Sequence, residues 1–172
     1  FILLISTMGN KKKLFLIDAY ALIFRGYYAF IKNPRINSKG MDTSAVMGFT
    51  NSLFNLINRE RPNYLAVAFD KGGSDVRSEI YTEYKANRPE TPEAIRIAVP
   101  YIQALLEAMN IPIIEKEGYE ADDIIGTLAK QAEHEGFDVY MMTHDKDFAQ
   151  LVSPNIFMYL SLIHISEPTR PI

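Results

Sequence analysis

The sequence predicts an α/β fold in which a mostly parallel central sheet is flanked by helices. Short apolar runs alternate along the chain with amphipathic helical patterns, and right-handed connections between such elements produce parallel strands. The 172 residues are 48% apolar and 23% charged, which is typical of a globular domain with one core. We therefore expect a single folded domain.

Three apolar runs have the length and composition of strands that are buried on both faces of a parallel sheet. They are residues 13–18 (KLFLID), 64–70 (YLAVAFD) and 138–143 (DVYMMT). A shorter run at 111–115 (IPIIE) is a candidate for a fourth strand. These runs predict the order and the direction of the main strands.

Helical patterns separate the predicted strands. Residues 43–60 repeat apolar side chains at helical spacing, and residues 91–110 begin with a Thr-Pro-Glu start signal, although Pro100 is expected to kink or interrupt that helix. A third helix has one apolar stripe and is expected to stop at Gly136. The stripe consists of Ile124, Ile125, Leu128, Ala129 and Ala132.

Both ends of the sequence differ from its interior. Residues 1–7 (FILLIST) begin with five apolar residues and precede Met8 and a run of lysines, the reverse of the order in a signal peptide. We therefore expect Met8 to be the true start and 1–7 to be a non-native extension. Residues 160–172 resemble translated sequencing-adapter sequence, which leaves 8–159 as the native segment. No run approaches the length of a membrane-spanning helix.

Charge and cysteine content limit the possible partners. The net charge of −3 provides no general basic field, so nucleic acid would have to bind a local patch. The sequence has no cysteine, which excludes disulfides and thiolate metal sites and fits a reducing compartment.

Acidic residues follow the predicted strands at their carboxyl ends. Carboxyl ends of parallel strands share one edge of the sheet, which is where such folds bind ligands. A further acidic cluster opens the helix that follows the fourth candidate strand. The seven acids expected at this edge are Asp18, Asp70, Asp145 and Asp147 after three strands, and Glu120, Asp122 and Asp123 at the start of the helix.

Seven converging carboxylates repel one another, and divalent cations relieve that repulsion. Hard oxygen ligands favour Mg²⁺ or Mn²⁺ over Zn²⁺, for which the chain offers no cysteine and three histidines. Two such ions activate water and stabilise a leaving oxygen, which is the chemistry of phosphodiester hydrolysis. Each acid alone is also explained by a turn or a helix cap, and the metal site is predicted from their coincidence.

A basic and aromatic segment at residues 71–92 directly follows Asp70. Its basic side chains suit phosphates and its tyrosines suit stacking on unpaired bases. Interleaved acids support an equally good explanation, a solvated helix of mixed charge. The candidate DNA-binding residues are Lys71, Arg77, Tyr81, Tyr84, Lys85 and Arg88, with Arg25 as a further phosphate ligand.

Four segments together resemble the 5′ nuclease domains found at the N-terminus of bacterial DNA polymerase I, which are related to the flap endonucleases. They are LFLIDAYALIFRGYYAF, AVAFDKGGSDVRSEIYTEYKANRPETP, GYEADDIIGTLA and MMTHDKDFAQLV. The resemblance implies a PIN-like core, two Mg²⁺ or Mn²⁺ ions, and a 5′–3′ exonuclease and structure-specific flap endonuclease. It also implies DNA with a 5′ flap or an RNA primer as partner, and polymerase domains in the parent chain.

The resemblance also implies residue roles. The seven acids match the metal-site acids of this family. Lys85 and Arg88 match the basic pair of the YKANR motif, which contacts the scissile phosphate, while Arg25 and Arg77 match further phosphate contacts. Family members continue past Tyr159 with two more metal-site aspartates and a helical hairpin that grips duplex DNA. The C-terminal half of the domain is therefore expected to be missing, and the chain is expected to be weakly active or inactive.

Two alternatives remain open from the sequence, and a third is disfavoured by one residue. A stand-alone flap or PIN-type nuclease shares the α/β core and the acidic edge. A non-catalytic nucleic-acid-binding domain would use the acids structurally. A haloacid-dehalogenase-like phosphatase needs a second aspartate two positions after the strand-end nucleophile, where this chain has Tyr20.

Overall fold

The computed structural model describes residues 12–71 and 90–159 and contains one parallel sheet. Its strands lie in the order β3-β2-β1-β4-β5, and every strand pairing within the described residues is parallel. The strands are β1 (Lys13–Asp18), β2 (Tyr64–Ala68), β3 (Ile113–Ile114), β4 (Asp138–Met142) and β5 (Ile156–Met158). The predicted α/β class with its parallel sheet is confirmed.

Helices cover both faces of the sheet. The described helices are α1 (Ala19–Ala29), α2 (Ser44–Glu60), α3 (Glu93–Ala108) and α4 (Ala121–His134), and a 3₁₀ helix spans Lys146–Leu151. Alternate residues of β1 point to opposite faces: Phe15 and Ile17 pack with α1, α2 and α3, whereas Leu16 packs with α4. The central strands are therefore buried on both sides, which explains their continuous apolar runs.

The three predicted long strands begin at the predicted residues, and the structure ends β2 and β4 slightly earlier. The weak fourth candidate forms only the two residues of β3. The helix α3 continues through Pro100, whose side chain faces solvent, so the expected interruption is wrong. The chain turns at Gly136, which has a φ of +86° directly after the last turn of α4, as predicted.

The 3₁₀ helix was not predicted, and neither were two further elements, the helix α1 and the strand β5. The sequence of α1 is apolar around most of its circumference, so it shows no clear stripe from which a helix could be inferred. The strand β5 has three residues, too few for any periodic pattern. Both elements are defined by the surfaces on which they pack.

The helices α1 and α2 cross with almost no space between their backbones. Gly26 and Gly48 lie at the crossing, and a Cβ built on Gly48 would be 2.3 Å from the Cα of Gly26. Glycine at both positions therefore allows the close approach. The crossing fixes the position of α1, which starts at the carboxyl end of β1.

No helix within the described residues is long and apolar enough to cross a membrane. The predicted non-native ends, 1–7 and 160–172, lie outside the described residues.

Candidate active site at the carboxyl edge of the sheet

All seven predicted acids lie at the carboxyl edge of the sheet. Asp18 is the last residue of β1, and Asp70 comes two residues after β2. The acidic cluster that begins with Glu120 opens α4, and the two remaining aspartates follow β4 in the 3₁₀ turn. The parallel register, which pairs Asp18 with Ala68, brings these chain segments together.

Asp18 is held by hydrogen bonds to both of its carboxylate oxygens. As the N-cap of α1 it accepts a bond from the backbone N–H of Ala21 at 3.1 Å, and it accepts a second from the Thr143 hydroxyl at 3.3 Å. Burial raises the pKa of Asp18, and the negative charge of Asp70 adds to the rise, while these hydrogen bonds oppose it. Ionised Asp18 is therefore costly without a nearby positive charge.

Asp70 links the end of β2 to the start of α4. Its Oδ1 accepts a hydrogen bond from the backbone N–H of Ala121 at 2.5 Å. Burial and the charge of Asp70 raise the pKa of Tyr20, whose ring packs edge-on against Phe69. Asp70 thus lies between α1 and α4 and acts electrostatically on both Asp18 and Tyr20.

The acidic cluster of α4 forms a capping box. Glu120 is the N-cap and is 8% exposed, and its backbone N–H donates to Asp123 Oδ2 at 3.2 Å. Asp122 Oδ1 accepts from the backbone N–H of Asp123 at 2.8 Å. Asp122 and Asp123 then line a cleft of about 270 Å³, with Asp147 on the opposite wall.

Asp145 and Asp147 are exposed in the 3₁₀ turn that follows β4. Asp145 is the N-cap of this turn, because its Oδ1 accepts from the backbone N–H of Asp147 at 2.9 Å. The backbone N–H of Asp145 donates to the Thr143 hydroxyl at 3.1 Å. The carboxylate of Asp145 is therefore held by Asp147, and its backbone is held by Thr143.

The acids share an edge, but their carboxylates point to different partners. In the part of the chain that the structure describes, no three Asp, Glu or His side chains are grouped closely enough to hold one ion. Asp18 and Asp70 interact with each other, and Asp122, Asp123 and Asp147 share one cleft. The helix N-termini at this edge supply N–H donors, and the carboxylates, which repel one another, bond to these donors separately.

Arg25 lies on α1 beside the acidic edge. Its Nη1 is buried and has no hydrogen-bond partner among the described residues, and burial lowers the pKa of the guanidinium. Arg25 contributes to a small cavity with Thr143 and His144. It also lines a groove of about 690 Å³ between α1 and α2, which Arg59 enters from the other helix.

The remaining basic and aromatic candidates are mostly outside the described residues. Lys71 is described and forms an ion pair with Glu115 at 3.1 Å. The predicted contacts Arg77, Tyr81, Tyr84, Lys85 and Arg88 lie in the segment 72–89, which the structure does not describe.

Sequence reasoning did not assign two polar residues that the structure places against the acids. Thr143 is buried and contacts Asp18, and Tyr20 lies next to Asp70. One signal could have identified Thr143: it directly follows a buried strand predicted to lie in the same sheet as the strand that ends in Asp18. For Tyr20 we find no comparable signal in the sequence.

Comparisons with known proteins agree with the fold. Residues 13–170 match the family described as 5′-3′ exonuclease, N-terminal resolvase-like domain. DNA polymerase I of Bacillus caldotenax is 45% identical over 164 residues, which cover 94% of this chain and 18% of the polymerase. A 5′-3′ exonuclease of Aquifex aeolicus is 40% identical over 86% of this chain and 50% of its own length.

A solved structure shares the architecture at lower identity. It is the bacteriophage T5 D15 flap endonuclease in a pseudo-enzyme-product complex with DNA and metal ions, with a TM-score of 0.62 and 21% identity over 86% of this chain and 54% of that chain. The present chain spans half the length of the Aquifex exonuclease and less than a fifth of the polymerase. With the family match covering most of its residues, the chain belongs to the family of 5′-3′ exonuclease N-terminal resolvase-like domains.

Proposed function

We propose that this chain is part of a divalent-metal-dependent 5′–3′ exonuclease and structure-specific flap endonuclease. The observation that carries the proposal is the placement of seven acids from four chain segments at one edge of the sheet, within the residues that match the family. Relatives are named DNA polymerase I and 5′-3′ exonuclease, and a structural neighbour is named a flap endonuclease. The reaction is hydrolysis of a phosphodiester bond.

The donor set at the edge fits Mg²⁺ or Mn²⁺. Carboxylate oxygens are the ligands that these hard cations prefer, and the charge of Asp70 adds to the cost of ionising Asp18, which a cation would offset. Among the described residues the carboxylates are not grouped around one ion, so an ion would have to draw them closer together. When bound, two ions would supply an activated water and stabilisation of the leaving oxygen. The residues that would hold them are Asp18, Asp70, Glu120, Asp122, Asp123, Asp145 and Asp147.

Basic side chains would bind and orient the substrate. Arg25 has a buried guanidinium nitrogen that lacks a partner among the described residues, and a phosphate oxygen would satisfy it. Lys85 and Arg88 would contact the scissile phosphate, and Arg77 and Lys71 its neighbours, with Lys71 first leaving Glu115. Tyr81 and Tyr84 would stack on an unpaired base.

The substrate that we propose is DNA with a 5′ flap or an RNA primer, met during replication and repair. In a polymerase I parent the nuclease would act beside polymerase domains in the bacterial cytoplasm.

The substitution Asp145→Asn in the full-length parent protein tests the function. An asparagine keeps Oδ1, so it can still cap the 3₁₀ turn, but it removes the negative charge that an ion requires. We expect single-turnover cleavage of a 5′-flap DNA to fall by about 1,000-fold or more, the effect of several kcal/mol on the barrier. Binding of the same DNA in EDTA should change little.

The matched control is Asp42→Asn, because Asp42 also accepts a backbone hydrogen bond, from Ser44, but belongs to the loop before α2 and is not one of the seven acids. It should cleave like the wild type. Cleavage by Asp145→Asn within a few-fold of wild type in Mg²⁺ would contradict the metal assignment and favour a non-catalytic binding domain.

A further inference from the structure

Thr143 lies beside Asp18 across two adjacent parallel strands. The register pairs Ile17 with Met142, so the next residue of each chain segment, Asp18 and Thr143, are neighbours at the carboxyl edge. Thr143 is only 2% exposed, an unusual burial for a hydroxyl at the end of a strand. A buried hydroxyl must find hydrogen-bond partners.

The Thr143 hydroxyl forms one hydrogen bond in each direction. It donates to Asp18 Oδ2 at 3.3 Å and accepts from the backbone N–H of Asp145 at 3.1 Å. The other oxygen of Asp18 is held by Ala21, and the carboxylate of Asp145 is held by Asp147. One chain of hydrogen bonds therefore runs from the start of α1 to the 3₁₀ turn, and Thr143 is its link between β1 and β4.

A threonine suits this link better than a residue with more freedom. Its β-branched side chain has few χ1 rotamers, and burial restricts it further, so the hydroxyl is held in one direction. Valine has the same shape without the hydroxyl, whereas serine has the hydroxyl without the methyl group. Comparing the valine and serine variants therefore separates the effect of packing from the effect of hydrogen bonding.

We propose that Thr143 is a positioning residue that sets the distance and orientation between Asp18 on β1 and the Asp145 turn after β4. The inference rests on the proposed function only in the purpose that it gives the two acids, which is to hold metal ions. The geometric part concerns this chain alone and does not depend on an ion or on DNA.

The geometric part is tested by hydrogen–deuterium exchange of the metal-free, full-length protein. In Thr143→Val the backbone N–H of Asp145 loses its acceptor, so peptides covering 143–151 should exchange faster by about fivefold to tenfold, the effect of one hydrogen bond. Thr143→Ser should exchange like the wild type. Unchanged exchange in the valine variant would overturn the proposal.

The functional part is tested by cleavage of a 5′-flap DNA at saturating enzyme. Residues that orient metal ligands typically contribute about 10–100-fold to metal affinity or activity. Thr143→Val should therefore lower the maximal rate by at least about tenfold or raise the Mg²⁺ concentration needed for half-maximal rate equally, with DNA affinity in EDTA unchanged. Thr143→Ser should restore the rate to near the wild-type value.

The control is Thr50→Val, which removes another part-buried threonine hydroxyl, one that donates to the backbone carbonyl of Val46 within α2. It should match the wild type in both experiments. If Thr143→Val does not fold, Thr143→Ala removes the hydroxyl without adding bulk and is judged by the same two measurements. Faster exchange with unchanged cleavage would overturn the positioning role, whereas loss of cleavage in Asp145→Asn is a separate result that reports on the proposed function.

Discussion

Several acids at the edge have a local structural role, and that role alone would explain why an acidic residue occurs at the position. Asp18 and Asp145 are N-caps, and Glu120 and Asp123 share a capping box. Their positions could be predicted, because a strand-end residue in a parallel sheet must lie at the carboxyl edge. Their orientations could not, because these depend on partners that are remote in sequence, such as Thr143 for Asp18 and Ala121 for Asp70.

Tyr159 provides a test of electrostatics outside the acidic edge. Its hydroxyl donates to Glu60 Oε1 at 3.0 Å, and burial together with Glu60 raises the pKa of Tyr159 to about 12. A tyrosine with a raised pKa stabilises the fold while it is protonated. The stabilisation is complete below the ordinary tyrosine pKa of about 10 and is lost as the pH rises through about 12.

We predict that Tyr159→Phe lowers the free energy of unfolding by about 1 kcal/mol at pH 8, the contribution of a hydrogen bond in a partly solvated setting. The difference from wild type should shrink above about pH 10. Urea unfolding across this pH range measures it, and Tyr101→Phe, at an exposed tyrosine, serves as control. A difference that does not vary with pH would contradict the raised pKa of Tyr159.

At the scale of elements, the predictable parts were those with a repeating pattern. The strands β1, β2 and β4 and the helices α2 and α4 carry apolar runs or stripes that specify both their type and their buried face. The helix α1 carries Arg25 and begins at Asp18, yet its sequence pattern is uninformative because neighbours contact it on several sides.

The crossing of α1 and α2 depends on two glycines. A methyl group at Gly48 would overlap the backbone of Gly26, which cannot move aside as a flexible side chain can. We predict that Gly48→Ala lowers the free energy of unfolding by about 3 kcal/mol or more, with the two helices forced apart. Urea unfolding at neutral pH is the measurement.

Gly126→Ala in α4 is the matched control for this prediction. The nearest atom to a Cβ at that position is the side-chain Cδ1 of Leu151 at 3.2 Å, which can shift. The gain in helix propensity of about 1 kcal/mol should offset that contact, leaving stability close to wild type. Equal loss of stability in both variants would mean that the helix crossing has no special constraint.

For the molecule as a whole, the concentration of negative charge at one edge predicts a dependence on divalent ions. An ion that binds only the folded chain stabilises it by about 2.7 kcal/mol at 100 times its dissociation constant. We predict that MgCl₂ or MnCl₂ raises the melting temperature above its value in NaCl of equal ionic strength, by roughly 2–4 °C for each kcal/mol.

The double variant Asp18→Asn, Asp70→Asn should lose most of this shift, because each asparagine keeps one hydrogen-bonding oxygen but not the negative charge that an ion requires. It should also melt higher than wild type in EDTA, since the repulsion between the two carboxylates is gone. An equal shift in NaCl would show general screening in place of a binding site.

Because the parallel strands pair in a fixed register, the length of each strand determines where the acid at its carboxyl end lies. Substituting one apolar residue for another inside β1 leaves Asp18 beside Ala68 and Thr143, whereas deleting a single residue would displace it by about 3.3 Å and turn it toward the other face. The same holds for β2 with Asp70 and for β4 with Asp145. Divergence within this edge is therefore expected to proceed by substitution, with insertions and deletions confined to the amino-terminal side of the sheet and to the connecting loops.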